Sequence, residues 1–451
     1  MEGPALLCRD DRARFTRHPR SPVLPHTCDL PRSSETYLCA SSEPAHVHLC
    51  LFEDATVPHL YPLALTRAVG DLRVGARTLI ETQLAAFADV QQIILWTRPE
   101  IADVTQQEHP DLLVNEMPAG DGGILLINQS WLVRSGGCLE SIRVNAKLGQ
   151  PNRAWKQGDT LIAAWLPDGP PSIEQAIAKA LAGAEPVEDE IVISGLPDLI
   201  MDVAQRTAYD IETMGGLGKH QANIQTGALL AYSENIYIAE GAVIRPGAVL
   251  NAEDGPIHIA RGASVDENAV IRGPVYVGEK SAIKAGARVA GSALGPGCKV
   301  GGEVHESIIH SYSNKPHDGY LGNSYIGRWC NLGADANTSN LKNDYGKVSV
   351  YDAVAGDFLP SGRQFAGLFM GDHSKCAINT MFNTGTVVGV FCNLFGNGFP
   401  PRHIPSFSWG SADIVYKLDK ALNVAETVMA RRGTVLSEAD RAMLARLAGS
   451  M

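Results

Sequence analysis

The densest run of chemically capable side chains lies between residues 305 and 346. It reads Ser311-Tyr-Ser-Asn-Lys-Pro-His-Asp-Gly-Tyr-Leu-Gly322, then Asn331-Leu-Gly-Ala334, then Asn340-Leu-Lys-Asn-Asp-Tyr-Gly346. His317 stands in its middle, with Lys315 two residues before it. An unperturbed imidazole titrates near pH 6.5, so it can accept a proton from an amine under neutral conditions and act as a general base. Lys315 and Lys342 carry charges suited to a phosphate group. His305 and His310 give a second arrangement, two imidazoles spaced as metal ligands can be.

Such groups need a scaffold, and the surrounding pattern supplies one. From residue 235 onward, apolar residues recur every six positions: Ile238, Ile244 and Leu250, then, after an offset of three, Ile259, Val265, Ile271, Val277, Ile283 and Val289. Four positions after these leaders stand small residues: Ala242, Ala248, Ala263, Ala269, Val275, Ser281 and Ala287. A period of six is neither helical nor a plain alternation. It fits a coil of three short strands, each giving one inward aliphatic and one small residue near a corner, with coils stacked about 4.8 Å apart. The register lapses between 290 and 325, where an irregular, functional insertion is expected. It returns at Ile326 and Leu332, with Cys330 and Ala336, and again at Met370, Cys376, Phe382, Val388 and Leu394, with Ser374, Thr380, Thr386 and Cys392.

Upstream, strands are predicted over 46–52, 92–96 and 123–127, with a turn at Pro58 and an amphipathic stretch over 72–87. Helices follow over 172–182 and from Leu196 to about Thr213, the last ended by Met214-Gly-Gly-Leu-Gly218. Strands alternating with helical patterns predict an α/β domain with a parallel sheet. Downstream, 413–432 reads as an amphipathic helix, and Ser437-x-x-Asp440 as a capping box opening a final one. The predicted organisation is a disordered extension over 1–45, an α/β domain over 46–194, a linker helix over 195–222, a β-helix over 223–410 and terminal helices over 411–451.

The six-residue repeat resembles the left-handed parallel β-helix of hexapeptide-repeat acyltransferases. His317-x-x-Tyr320-Leu-Gly322-Asn323-x-x-Ile326-Gly327, followed by Asn331 and Gly333-Ala334, resembles the acetyltransferase half of the bifunctional N-acetylglucosamine-1-phosphate uridylyltransferase/glucosamine-1-phosphate N-acetyltransferase family. Asn314-Lys-Pro-His-Asp-Gly319, Leu341-Lys-Asn-Asp-Tyr-Gly346, Met370-Gly-Asp-His-Ser-Lys375 and Pro405-Ser-Phe-Ser-Trp409 are similar to its Bacteroidetes-type branch. The resemblance implies acetyl-CoA as co-substrate, an amino-sugar phosphate as acceptor and His317 as general base. It also implies that Tyr320, Asn331 and Asn340 contact the sugar and acetyl groups, that Lys315 and Lys342 serve the phosphate, and that the chain is a homotrimer with sites between subunits.

In the N-terminal half, Tyr61-Pro-Leu-Ala-Leu-Thr-Arg67, with Leu72-Arg73-x-Gly75, resembles the start of sugar nucleotidyltransferases. That implies a nucleoside triphosphate held by Asp54, Arg67 and Arg73, with Mg²⁺ bridging its phosphates. The glycine-rich string of that family is absent. Glu53-Asp-Ala-Thr-Val-Pro58 stands in its place, and Asn128 stands where the metal-binding aspartate would be. Two readings of other classes remain open: a non-catalytic scaffold of stacked repeats, and a zinc enzyme like the γ-class carbonic anhydrases built on His305 and His310.

Composition narrows the partners. The 451 residues hold 38 Lys+Arg against 49 Asp+Glu, a net charge of −11, which disfavours nucleic acid or an anionic membrane surface as the main partner. The nine cysteines are scattered and never spaced as CxxC, which suits a reducing cytoplasm.

Overall fold

The computed structural model describes residues 47–449 apart from 89, 119–121, 148–152, 169 and 171. The extension expected over 1–45 therefore lies outside the described residues. Among the described residues no helix is long and apolar enough to cross a membrane.

The N-terminal domain opens with β1 (Val47–Phe52). Then come α1 (Leu79–Ala86), β2 (Gln92–Trp96), α2 (Ala102–Glu108), β3 (Leu113–Val114) and β4 (Gly123–Asn128). After β5 (Trp131–Leu132) and α3 (Gly137–Lys147) follow β6 (Arg153–Gln157), β7 (Thr160–Leu166), α4 (Ile173–Ala182) and β8 (Glu185–Pro186). The sheet order is β3-β2-β1-β4-β7-β6-β8. Its first four strands are parallel, as expected, but β7 runs antiparallel to both β4 and β6. The cause is local. Only two residues separate β6 from β7, and so short a connection can only reverse the chain.

The stretch over 72–87 is helical only in its second half. Thr78 caps α1, its hydroxyl accepting from Glu81 N while Glu81 returns a carboxylate to Thr78 N. The helix expected from Leu196 to Thr213 is two pieces, α5 (Leu196–Leu199) and α6 (Val203–Met214), separated at Asp202, whose φ of 51° is left-handed.

The rest of the chain is a parallel β-helix of three faces, carrying sheets of ten, six and nine short strands. The repeat leaders and most of the small residues point inward and are buried, from Ile238 to Leu394. Each fully buried Ile, Leu or Val side chain contributes about 1.5–3 kcal/mol relative to exposure, which lets strands of two or three residues persist.

The expected insertion over 290–325 is not there. Strands continue through it in register on all three faces. What changes is coil length. On the ten-strand face, inward residues are 18 apart from Val265 to Ile283, then 17 to Val300, 15 to Lys315 and 17 to Leu332. Corners lose residues, so the six-residue frame slips while the stack continues. The real insertion falls between the strands Asn337–Thr338 and Leu368–Met370, and holds a hairpin of Ser349–Asp352 with Asp357–Pro360.

Two features of the prism join it to its neighbours. On the nine-strand face, the outward row Ala293, Ile308, Tyr325, Phe369 and Val387 is apolar and fully buried, packing on Leu60, Leu63, Leu72, Val74, Leu196 and Leu199. A face apolar on both sides is the signature of a covered sheet, and the cover is the N-terminal domain. At one corner, Tyr312, Trp329, His373, Phe391 and Phe407 all adopt left-handed φ and form a stacked ladder. Against it pack α7 (Leu418–Ala430) and α8 (Glu438–Gly449), the latter opened by the Ser437–Asp440 box. The helix expected from 413 starts later because the last strand, Ser408–Val415, continues the coil.

Candidate active site

His317 sits on a corner between two faces, where the strand Asn314–Lys315 ends and Tyr320–Gly322 begins. It is exposed, and its ring makes no hydrogen bond to a described residue. From Tyr320, three residues on, a hydrogen-bonded chain runs across three coils. The Asn340 amide donates to the Tyr320 phenol oxygen (3.1 Å) and to Asn323 Oδ1 (2.7 Å), and Asn323 Nδ2 donates to Glu306 Oε2 (2.8 Å). Tyr320 N donates to Asn337 Oδ1 (2.9 Å), fixing the strand that carries the phenol. Burial pushes the Tyr320 hydroxyl above its usual pKa, so it remains a proton donor at neutral pH. Glu306 and Asn337 did not stand out in the sequence, and Asn323 did so only as one position of the motif that carries the resemblance. Their partnership arises only when coils stack.

The other expected site residues are spread over distinct places. Asn331 lies one coil above Asn314 on the ten-strand face, between Asn314 and Lys375. Asn340 opens the insertion, and Lys342 lies on it, paired with Asp344 at 3.1 Å. Lys342, Lys347, Thr384 and Arg402 line a groove of about 740 Å³ beneath that insertion. Lys315, expected to reach a phosphate, occupies an inward position level with Val300 and is only 2% exposed. Its ammonium donates to the carbonyls of Gly301 and His317, both at 3.0 Å. Burial pulls it down to about 8, against the opposing charges of Asp318 and Asp335.

The paired histidines point to different faces. His305 is exposed on the six-strand face. His310 is buried on the nine-strand face, and its Nε2 donates to the Asp71 carbonyl at 2.7 Å. Burial, reinforced by the charges of Arg67, Arg328 and Arg73, holds the His310 imidazole neutral. Among the described residues no three His, Cys, Asp or Glu side chains gather as a metal site. His310 is thus an interdomain contact, and the zinc reading loses its second ligand.

In the N-terminal domain the crevice beyond the carboxyl ends of β1 and β4, where open α/β sheets bind ligands, is filled by the chain itself. Glu53 Oε1 accepts from Val69 N (2.9 Å), and Gln129 Oε1 accepts from Gly70 N (2.8 Å). These side chains satisfy turn amides of the kind that cradle phosphates elsewhere. Glu53 also pairs with Arg98 at 2.6 Å. Asp54 accepts from Thr56 and, at 2.7 Å, from the Asn128 amide. With both its oxygens engaged and an amide as neighbour, this donor set does not suit Mg²⁺, which needs carboxylate oxygens facing it.

Arg67 and Arg73 are buried between the domains. Arg67 pairs with Asp372 of the prism, which also accepts from the Thr66 hydroxyl (2.7 Å) and Arg328 N (2.7 Å). Burial alone would raise Asp372, but Arg67, Thr66 and Arg328 outweigh it and hold the carboxyl below its usual range. Arg73 donates its guanidinium to Ala76 O and its backbone N–H to the Tyr325 hydroxyl. Both line a cavity of about 390 Å³ shared by the N-terminal domain, the prism and the terminal helices.

Residues 49–215 match the model of a family described as sugar nucleotidyl transferase. Over 162 residues the chain is 29% identical to a bifunctional sugar-1-phosphate nucleotidylyltransferase/acetyltransferase of Sulfurisphaera tokodaii, covering 31% of this chain and 40% of that protein. It is 34% identical over 120 residues to the bifunctional protein GlmU of Methanocaldococcus jannaschii, 27% of this chain and 28% of the other. With GlmU of Methanococcus maripaludis it shares 32% identity over 189 residues, 41% of this chain and 39% of the other. The matched part is less than half the length of each of these relatives.

Proposed function

We propose that this chain is a cytoplasmic transferase that moves the acetyl group of acetyl-CoA to the amine of an amino-sugar phosphate at the His317 corner. The observation that carries this reading is an exposed, uncommitted imidazole three residues before Tyr320, whose phenol ends the Tyr320–Asn340–Asn323–Glu306 chain. His317 takes a proton from the substrate ammonium. The freed lone pair attacks the thioester carbonyl, the C–S bond of the tetrahedral intermediate breaks, and the departing coenzyme A sulfur takes the second proton shed by the nitrogen, leaving as the thiol. Backbone N–H groups of a neighbouring coil meet the tetrahedral oxyanion, while Tyr320, its oxygen held by Asn340, donates to the sugar. Asn331 contacts the acetyl arm. Lys342, in the groove shared with Lys347 and Arg402, faces the acceptor phosphate. The six-strand face bears the exposed Leu229 and Val270, and a second copy against it in a homotrimer would enclose the corner. Thiol release from acetyl-CoA with glucosamine 1-phosphate and a panel of other amino-sugar phosphates tests the reading. Silence across the panel would favour a scaffold of stacked repeats.

Nucleotidyl transfer is the second reading, favoured by the match over 49–215. In it a nucleoside triphosphate meets Asp54, Arg67 and Arg73, which requires the loop over 66–71 to leave Glu53 and Gln129. Pyrophosphate release from UTP or dTTP with a sugar 1-phosphate tests it. Absence of turnover with either nucleotide would make this domain the anchor of the prism alone.

A further inference from the structure

Lys315 is the most anomalous residue of the prism. Its column on the ten-strand face is aliphatic below it, through Ile244, Val265, Ile283 and Val300, and Leu332 stands in the coil above. A lysine in such a column costs free energy unless its head is satisfied. The head leaves the core at the corner, where the carbonyls of Gly301 and His317 receive it, 3.0 Å each. The corner below is shaped for that exit. Gly302 has a φ of +66°, and a Cβ there would stand 2.8 Å from the Lys315 ammonium, 2.6 Å from Gly319 O and 2.9 Å from His317 O. Three groups converge on a space only glycine leaves open. The ammonium therefore ties two coils together through the peptide of one residue, His317.

We propose that Lys315 is a positioning residue, whose buried ammonium fixes the His317 carbonyl and so sets the direction from which the imidazole meets the acceptor amine. The proposal rests on the acetyl-transfer reading for its catalytic consequence. Its structural content, an anchored His317 peptide, stands on the geometry. It differs from a phosphate-binding role, which needs an ammonium reaching outward.

The test is Lys315→Met, which keeps the length of the stem and suits an aliphatic column, so the variant should fold with an unchanged or raised thermal midpoint. Acetyl transfer should lose about 10- to 100-fold in kcat, the cost of a misplaced catalytic group, with KM for the phosphorylated acceptor unchanged. A raised KM with intact kcat would overturn positioning in favour of phosphate binding. Gly302→Ala, which displaces the ammonium and leaves Lys315 in place, should reproduce the kcat loss, and the double variant should be no worse than either single one. Amide hydrogen exchange of the peptide over 314–322 gives a readout that needs no activity. Exchange there should quicken about tenfold or more in Lys315→Met and Gly302→Ala, and stay as in the parent over 259–289. Unchanged exchange over 314–322 in both variants would overturn the proposal whatever the activity. Quickened exchange in a chain that acetylates nothing would leave the anchor standing and overturn only the acetyl-transfer reading.

Discussion

His317 differs from the buried histidines of the prism in what surrounds it. His258 lies between Tyr237 and Tyr276 and burial drops it to about 4, while His373, stacked between Trp329 and Phe391, falls to about 3. These rings stay neutral and are held between aromatic neighbours. His317 is exposed at a corner, and the phenol of Tyr320, three residues on, is held by Asn340. His317→Ala should therefore cut kcat for acetyl transfer by about 10²- to 10⁴-fold, measured by thiol release, while the circular-dichroism melting midpoint hardly moves. His305→Ala, on the same side of the prism, should leave kcat intact. Both histidines were visible in the sequence, and so were Tyr320 and Asn340. Glu306, and the part Asn323 plays with it, were hidden because each lies about a coil away from its partner in sequence. Lys315 was misjudged for a different reason: when a coil shortens to 15 residues, counting by sixes no longer tells which side chains face inward.

Among the elements, the segment from β1 to α1 has the most altered use. Its resemblance to the start of sugar nucleotidyltransferases implied a nucleotide site, and residues 49–215 match that family's model. Its turn amides are nevertheless occupied by Glu53 and Gln129, and its arginines lie against the prism. No local pattern could reveal this, because Arg67 and Asp372 are 305 residues apart. Their side chains are 2% and 6% exposed. Removing one member of such a pair leaves the other buried and uncompensated, so Arg67→Met should destabilise the chain by about 3–5 kcal/mol in denaturant titrations. The loss should depend on pH. Asp372 is held below its ordinary value, so the pair's stabilisation is complete above the unfolded carboxylate value of about 3.9. It is lost as pH falls through the lower folded value. The gap between parent and variant should accordingly narrow in acid. A gap of constant size down to the lowest pH at which both fold would show that the charge of Asp372 plays no part.

For the molecule as a whole, the two-part architecture was legible because a period of six has few other solutions, and because α/β alternation precedes it. The covered nine-strand face and the corner ladder were less so. Their residues belong to columns that emerge only once coils of unequal length are stacked. The homotrimer proposed above sets a second copy against the six-strand face. Light scattering at micromolar concentration should give three times the chain mass, and a strict monomer would remove the shared-site arrangement.

The terminal helices also change how the stack can come apart. A linear array of repeats normally peels from its ends. Here α8 packs Met443 and Leu444 among Ile101, Val104 and the corner ladder, and Arg446 donates to Glu100 O at 2.7 Å. The last coils are thus clasped to the N-terminal domain, and they cannot fray without opening a ring that spans most of the described residues. Among the described residues the other end has no such clasp, since Asn223–Ile224 and Leu229–Ala231 pair on one side only. Native-state hydrogen exchange should begin at residues 223–231 and reach the coils over 370–404 only with global opening, so the end of the array nearer the candidate site would be the last to loosen.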